Sequence, residues 1–292
     1  MTEALRRRDP HAARSAAVRR GRDWLGSVRV HWIAVSLTGA LGLVWLIFLG
    51  GFGTDLSAQV AWAHFAGTDP LAAYDFSWYG GVYPAAYSVL APYVLSVVGP
   101  RLGMVLASLG CAALMALLLE RHDVPRPRVA AAWLGIALWF GMIAGRATFT
   151  LGLIAAIAAV YVLDAHRPGR VLRCAAGAAC ALVCTLLSPV AGAFVGIAAA
   201  ALIVTGRRIE GLTLGAAAGA PLIVLAVAFG SGGVQPISIV STGPSILAAV
   251  CLATLAPKAW RAVRVGAVIY AAAVLLAWIV PTPLGSNVDR LG

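Results

Sequence analysis

The sequence predicts an all-α membrane protein, a polytopic transmembrane helix bundle of about nine spans of about 20 residues each. Three observations carry that prediction. Of 292 residues, 61% are hydrophobic and only 11% are charged, with a mean hydropathy of +0.90, whereas an ordinary soluble domain is about 25% charged. The apolar residues fall in runs of span length. The bases fall in short clusters between those runs, so the net charge of +11 is a topology signal and not a nucleic-acid footprint. Such a bundle leaves no length for a soluble catalytic domain.

The first 30 residues hold eight arginines and form a basic cytoplasmic arm, disordered or pressed on anionic headgroups. Residues 31–292 form one transmembrane domain. The arm is too long and too Arg-rich for a simple signal peptide, so 31–51 is expected to remain as a signal anchor. Between Arg29 and Arg101 there is no Lys or Arg, while Asp55, Asp69 and Asp75 all fall there. That assigns the loop 52–101 to the outside.

Within the loop, Thr54 is positioned to cap a helix from Asp55 to about Ala66, with Asp55, Gln59 and Trp62 on one face. It is too short and polar to span. It is expected to lie on the outer surface as a juxtamembrane helix, with Leu56, Val60 and Ala63 toward lipid or the bundle. Gly67, Pro70, Gly80 and Gly81 then break the chain into a loop crowded with Tyr74, Phe76, Trp78, Tyr79, Tyr83 and Tyr87. Residues Tyr83 to Gly99 are apolar but interrupted by Pro84 and Pro92. A crossing there would place Arg121, Arg126 and Arg128 outside, so the segment is read as interfacial or re-entrant.

The later spans follow at about 102–119, 129–145, 148–164, 171–188, 190–205, 211–229, 244–257 and 265–281, with Pro189 and Pro221 as expected kinks. Ala- and Gly-rich stretches among them permit close helix approach. In this arrangement nineteen of the 22 bases lie inside and only Arg101, Arg146 and Arg290 outside. The predicted location is the plasma (inner) membrane, N-terminus cytoplasmic and C-terminus external. Cys111, Cys174, Cys180, Cys184 and Cys251 all lie in apolar runs without a neighbouring ligand set, so they read as packing residues and no metal site is expected. No phosphate-cradling glycine loop is present, and no cofactor is expected.

The order of features after the anchor carries a resemblance. An early Asp, a helix ending in Gly, the run Trp78-Tyr79-Gly80-Gly81, the Tyr83-Pro84 to Pro92 segment, Arg101-Leu102 and then Ala144-Gly145-Arg146-Ala147 together resemble GT-C type membrane glycosyltransferases. That superfamily includes protein mannosyltransferases and arabinosyltransferases that use polyprenyl-phosphate sugars. The resemblance covers 31 to about 165. It implies sugar transfer from a polyprenyl-phosphate donor to an envelope acceptor at the outer face, with membrane lipid and envelope-assembly proteins as partners and no nucleic acid. Many members pair two acids in the first loop and have more spans; here Asp55 stands alone, and a truncated or inactive member is the corresponding alternative.

The chemistry itself needs a carboxylate to take the acceptor's proton and cations to hold the departing phosphate. Asp55 is the candidate catalytic base. Arg146 and Arg101, with Gln59, Asp75, Trp78 and Tyr79, are the candidate substrate-binding residues, and Arg290 is a further external cation. Each has a plainer reading. Asp55 suits a helix dipole, Asp69 and Asp75 suit turns, Arg146 can snorkel to headgroups, and the aromatics suit an interfacial belt. His64 reads as a packing residue and Asp164 with His166 as a solvated boundary. The competing functions are a non-catalytic membrane protein or a transporter of envelope-related or small solutes. The near absence of charge inside the spans argues against ion-coupled transport.

Overall fold

The computed structural model describes residues 30–51, 53–77, 81–122, 124–167, 169–229 and 237–280. Among these the protein is helical, apart from one antiparallel bridge between Asp75 and Val82. The helices are α1 (Val30–Leu49, its last turn π-wound), α2 (Leu56–Thr68), α3 (Pro84–Tyr87), α4 (Ala91–Val98), α5 (Pro100–Arg121) and α6 (Pro127–Ile143). After them come α7 (Ala147–Leu163), α8 (Arg170–Leu187), α9 (Pro189–Val204), α10 (Arg208–Phe229), α11 (Ile239–Leu255) and α12 (Arg261–Ile279). Every apolar run of span length lies in one of them. Five (α1, α5, α8, α10 and α12) are long and apolar enough to cross a membrane, and α6, α7, α9 and α11 are apolar helices of 16 or 17 residues.

Small residues set the packing. A Cβ on Gly152 of α7 would stand 2.7 Å from Ser188 and 2.8 Å from Ala191, and one on Gly211 of α10 would stand 2.7 Å from the Ala199 carbonyl. Backbones therefore approach where lipid supplies no hydrophobic drive of its own. The core that results runs through Phe149, Leu163, Cys184, Val195 and Leu214. Outside it the surface is apolar: Ile223 and Val224 on α10 and Val268 on α12 are more than half exposed. A surface so apolar over whole helices calls for lipid, not water.

The proline-broken segment after residue 83 forms no helix long enough to span a membrane. Helix α4 has eight residues, about 12 Å of rise, and Gly99 (φ +86°) turns the chain straight into α5. Leu95 of α4 fits over Gly103 of α5, where a Cβ would meet it at 2.7 Å. The stretch before α4 instead serves the end of α8. Val89 and Leu90 N–H groups both donate to the Leu186 carbonyl (3.0 Å each), and the Ser88 hydroxyl donates to the Leu187 carbonyl (2.7 Å). Carbonyls orphaned at the helix end are thereby paired in a water-poor setting.

Several local expectations change. Thr54 is not a cap: α2 begins at Leu56 with Asp55 in the N-cap position. Val60 is 46% exposed whereas Leu56 and Ala63 are buried, so only part of that predicted face is covered. His64 is exposed, because the helix rotation that buries Trp62 and Ala63 turns it outward. Pro189 opens α9, where its missing N–H costs nothing, and Ser188 caps that helix. Pro221 does lie inside α10, and Pro244 inside α11. Ser238, not Pro244, starts α11, accepting from Ser241 N at 3.2 Å.

Three of the basic clusters gather at one end of the bundle, where they have a second role. Arg173 Nη1 donates to the carbonyls of Leu163 (3.2 Å) and Ala165 (2.6 Å), and Arg207 Nη2 donates to Leu163 (3.2 Å). Arg121 Nη1 donates to the Tyr161 carbonyl at 2.8 Å and its guanidinium lies over the Tyr161 ring. Asp164 joins this cluster, 3.7 Å from Arg121 and 2.9 Å from His122 Nε2, and is thus a paired group and not a solvated boundary. The arginines close the C-terminal carbonyls of α7. Arg173→Ala is expected to cost about 1.5–3 kcal/mol, the range for hydrogen bonds to a charged group. Arg173→Lys should recover little, since its ammonium ends one bond short of the Nη1 position that makes both contacts. Thermal melting in detergent reads both.

Candidate functional site

The other end of α7 begins at Arg146, so this site and the basic end are separated by the whole of that helix, about 25 Å. Two chain segments meet there, and glycine makes the meeting possible. Gly53 has φ +129° and Gly145 has φ +75°. A Cβ on Gly53 would stand 2.9 Å from Gly145 N, and one on Gly145 would stand 2.7 Å from Leu56 N. Backbone lies directly on backbone, and the Asp55 N–H donates to the Ala144 carbonyl at 3.4 Å. The first-loop acid and the turn carrying Arg146 are thus locked together, 91 residues apart in sequence. Leu56 fixes the joint from below, buried with Trp45, Met104 and Met142.

Asp55 is half-buried and, although it occupies the N-cap position, its side chain makes no capping hydrogen bond to α2. Arg146 is half-buried too, and holds the corresponding N-cap position of α7, also without a side-chain cap.

One turn beyond Asp55, Gln59 is 2% exposed and occupied on both sides. Its Nε2 donates to the Tyr87 hydroxyl at 3.2 Å, and its Oε1 accepts from the Thr148 hydroxyl. Tyr87 in turn packs on Trp62, ring centroids 4.2 Å apart. A polar chain thus runs from α3 through α2 to the first turn of α7, buried under the Asp55–Arg146 joint. Thr148 was not legible as a site residue. The available signal was the pair Thr148 and Thr150, polar positions opening an otherwise apolar helix.

Above this chain lies an aromatic cluster. Tyr74 packs edge-on against Phe76 (4.8 Å) and Tyr83 (4.7 Å), and Tyr83 reaches Phe229 at the end of α10 (5.3 Å). Phe76 is 84% exposed, so the cluster presents an aromatic surface outward. Asp75 faces inward, 3% exposed. Its Oδ1 accepts from Ser77 N (2.8 Å) and Ser77 Oγ (2.6 Å), and its backbone pairs with Val82. The carboxylate is engaged in closing its own turn. Arg101 is exposed at the start of α5, its Cδ 3.6 Å from the Cβ position of Gly50. Trp78, Tyr79 and Arg290 lie outside the described residues. Among the described residues no group of His, Cys, Asp and Glu is arranged to hold a metal.

The fold and the lipid-demanding surface define an all-helical protein of multi-pass membrane type. Compared with family models, with curated proteins and with solved structures, the chain matches none.

Proposed function

We propose that the protein is a GT-C-like membrane glycosyltransferase that moves a sugar from a polyprenyl-phosphate donor to an envelope acceptor at the outer face. The observation that carries this reading is the joint at Gly53–Leu56 and Ala144–Arg146. It holds an acid beside a turn bearing one of the few bases remote from the other basic clusters. In this reading the five long apolar helices and the four of 16 or 17 residues all cross, α2 lies at the outer surface, and the positive end of the bundle is inside.

The roles follow from the reaction. The acceptor oxygen attacks the anomeric carbon while its proton passes to the Asp55 carboxylate, and the bond from that carbon to the phosphate oxygen breaks. The departing polyprenyl phosphate keeps the electron pair, and Arg146, with Arg101 nearer the membrane edge, offsets its charge. Tyr74, Tyr83 and Phe76 offer apolar faces of the kind that pack on sugar rings.

Membranes containing the protein are to be supplied with radiolabelled polyprenyl-phosphate sugars and an envelope acceptor fraction. Asp55→Asn keeps the shape and removes the base, so transfer is expected to fall about a hundredfold or more with expression unchanged. Transfer at the wild-type rate in that variant removes Asp55 from the chemistry. Sidedness is tested separately: Ser57→Cys, exposed on α2, in a Cys251→Ala background should react with an impermeant maleimide added outside intact cells.

A further inference from the structure

A second feature lies at the basic end, away from Asp55, and owes nothing to the glycosyltransferase reading. The C-terminal ends of α9 and α11 and the first turns of α12 enclose an open groove of about 570 Å³, lined by the cations Lys258, Arg261 and Arg264 and by the apolar side chains Val204, Val268 and Ile269. That volume lies within the range of small-ligand sites, about 300–1,000 Å³. Arg264 is fixed in place, its Nε donating to the Ala253 carbonyl at 2.7 Å, while Lys258 and Arg261 are exposed.

The charge around the groove is of one sign. No acidic residue occurs between Glu210 and Asp289, so three cations converge with no carboxylate from their own segment to neutralise them. The start of α12 adds its dipole to the same side. The apolar wall continues onto the outer flank of the bundle, where Val268 is 59% and Leu255 79% exposed. A soluble anion would use only the basic half of such a site. A molecule with an anionic head and a hydrocarbon tail uses both.

We infer that this groove binds an anionic phospholipid, its phosphate among Lys258, Arg261 and Arg264 and one acyl chain along Val204, Val268 and Ile269. Basic pockets between helices at a membrane surface hold anionic headgroups by this combination.

The full chain, purified in an uncharged detergent, is to be titrated with phosphatidylglycerol, with phosphatidylcholine and with inorganic phosphate, reading bound lipid by native mass spectrometry and stability by thermal melting. Phosphatidylglycerol is expected to bind about tenfold or more tighter than phosphatidylcholine, and Lys258→Gln with Arg261→Gln should erase that preference. Arg167→Gln with Arg208→Gln, the same charge removed from exposed positions outside the groove, should keep it. The inference is overturned if the groove variant retains the preference or if the distant pair loses it equally. It is also overturned if inorganic phosphate raises the melting temperature as far as the lipid does, since the tail then contributes nothing. Circular dichroism of both variants establishes that the comparison is between folded proteins.

Discussion

Gly145→Ala is expected to lower stability by about 2–4 kcal/mol and to cut transfer by more than about tenfold, because one methyl meets two separate penalties. The first is conformational: Gly145 has φ +75°, a region that costs an L-residue about 1–2 kcal/mol. The second is steric. The new Cβ would stand 2.7 Å from Leu56 N and 2.8 Å from Leu56 Cβ, and neither can withdraw easily. Leu56 is anchored in the core with Trp45 and Met142, and the adjoining Asp55 N–H is bonded to Ala144. Relief therefore means lifting the start of α2 off the turn, which carries Asp55 away from Arg146. Gly141→Ala provides the control. It lies four residues earlier, in the last turn of α6, with nothing within 4 Å of its Cβ position, and alanine there should be neutral or slightly stabilising. Melting curves and transfer rates of the pair decide the matter; if both substitutions are equally tolerated, the glycine joint does not hold the site together.

The bundle was legible because lipid imposes simple demands: apolar runs of span length, with bases confined to their ends. Those demands fixed where helices occur but not how they start. Ser188 and Ser238 begin helices at points that hydropathy alone put elsewhere, since a cap is decided by one hydroxyl and one N–H. The same holds at the basic end. Charge asymmetry marked Arg121, Arg173 and Arg207 as topology signals, yet their guanidinium groups also close the last carbonyls of α7. That is a tertiary contact, which no periodicity reports. At the site, Asp55 and Arg146 could be picked out individually because each is a rare charge in its neighbourhood. Their approach could not, since it depends on two positive-φ glycines meeting across the bundle. Asp75 shows the opposite limit: an acid in an aromatic loop has the composition of a ligand-binding residue, but its carboxylate is committed to Ser77.

The buried chain beneath the joint yields a prediction that separates structure from chemistry. Gln59→Leu is expected to destabilise the protein by about 2–3 kcal/mol, because the buried Thr148 hydroxyl and the part-buried Tyr87 hydroxyl both lose a partner. Replacing the partners as well should reverse most of that loss. In Gln59→Leu with Thr148→Val and Tyr87→Phe the polar groups disappear together, and an apolar set of similar shape can be nearly neutral. Phe at 87 also keeps the ring packed on Trp62, whose centroid lies 4.2 Å away. The triple variant should therefore melt within about 1 kcal/mol of the wild type by denaturation in detergent. Transfer has no such remedy if the polar chain orients α2 so that Asp55 faces the acceptor: it should stay depressed in the triple variant. Recovery of stability and transfer together would assign Gln59 to packing alone. Failure of stability to recover would mean that the hydroxyls hold contacts beyond Gln59, leaving the single substitution as a measure of more than one bond.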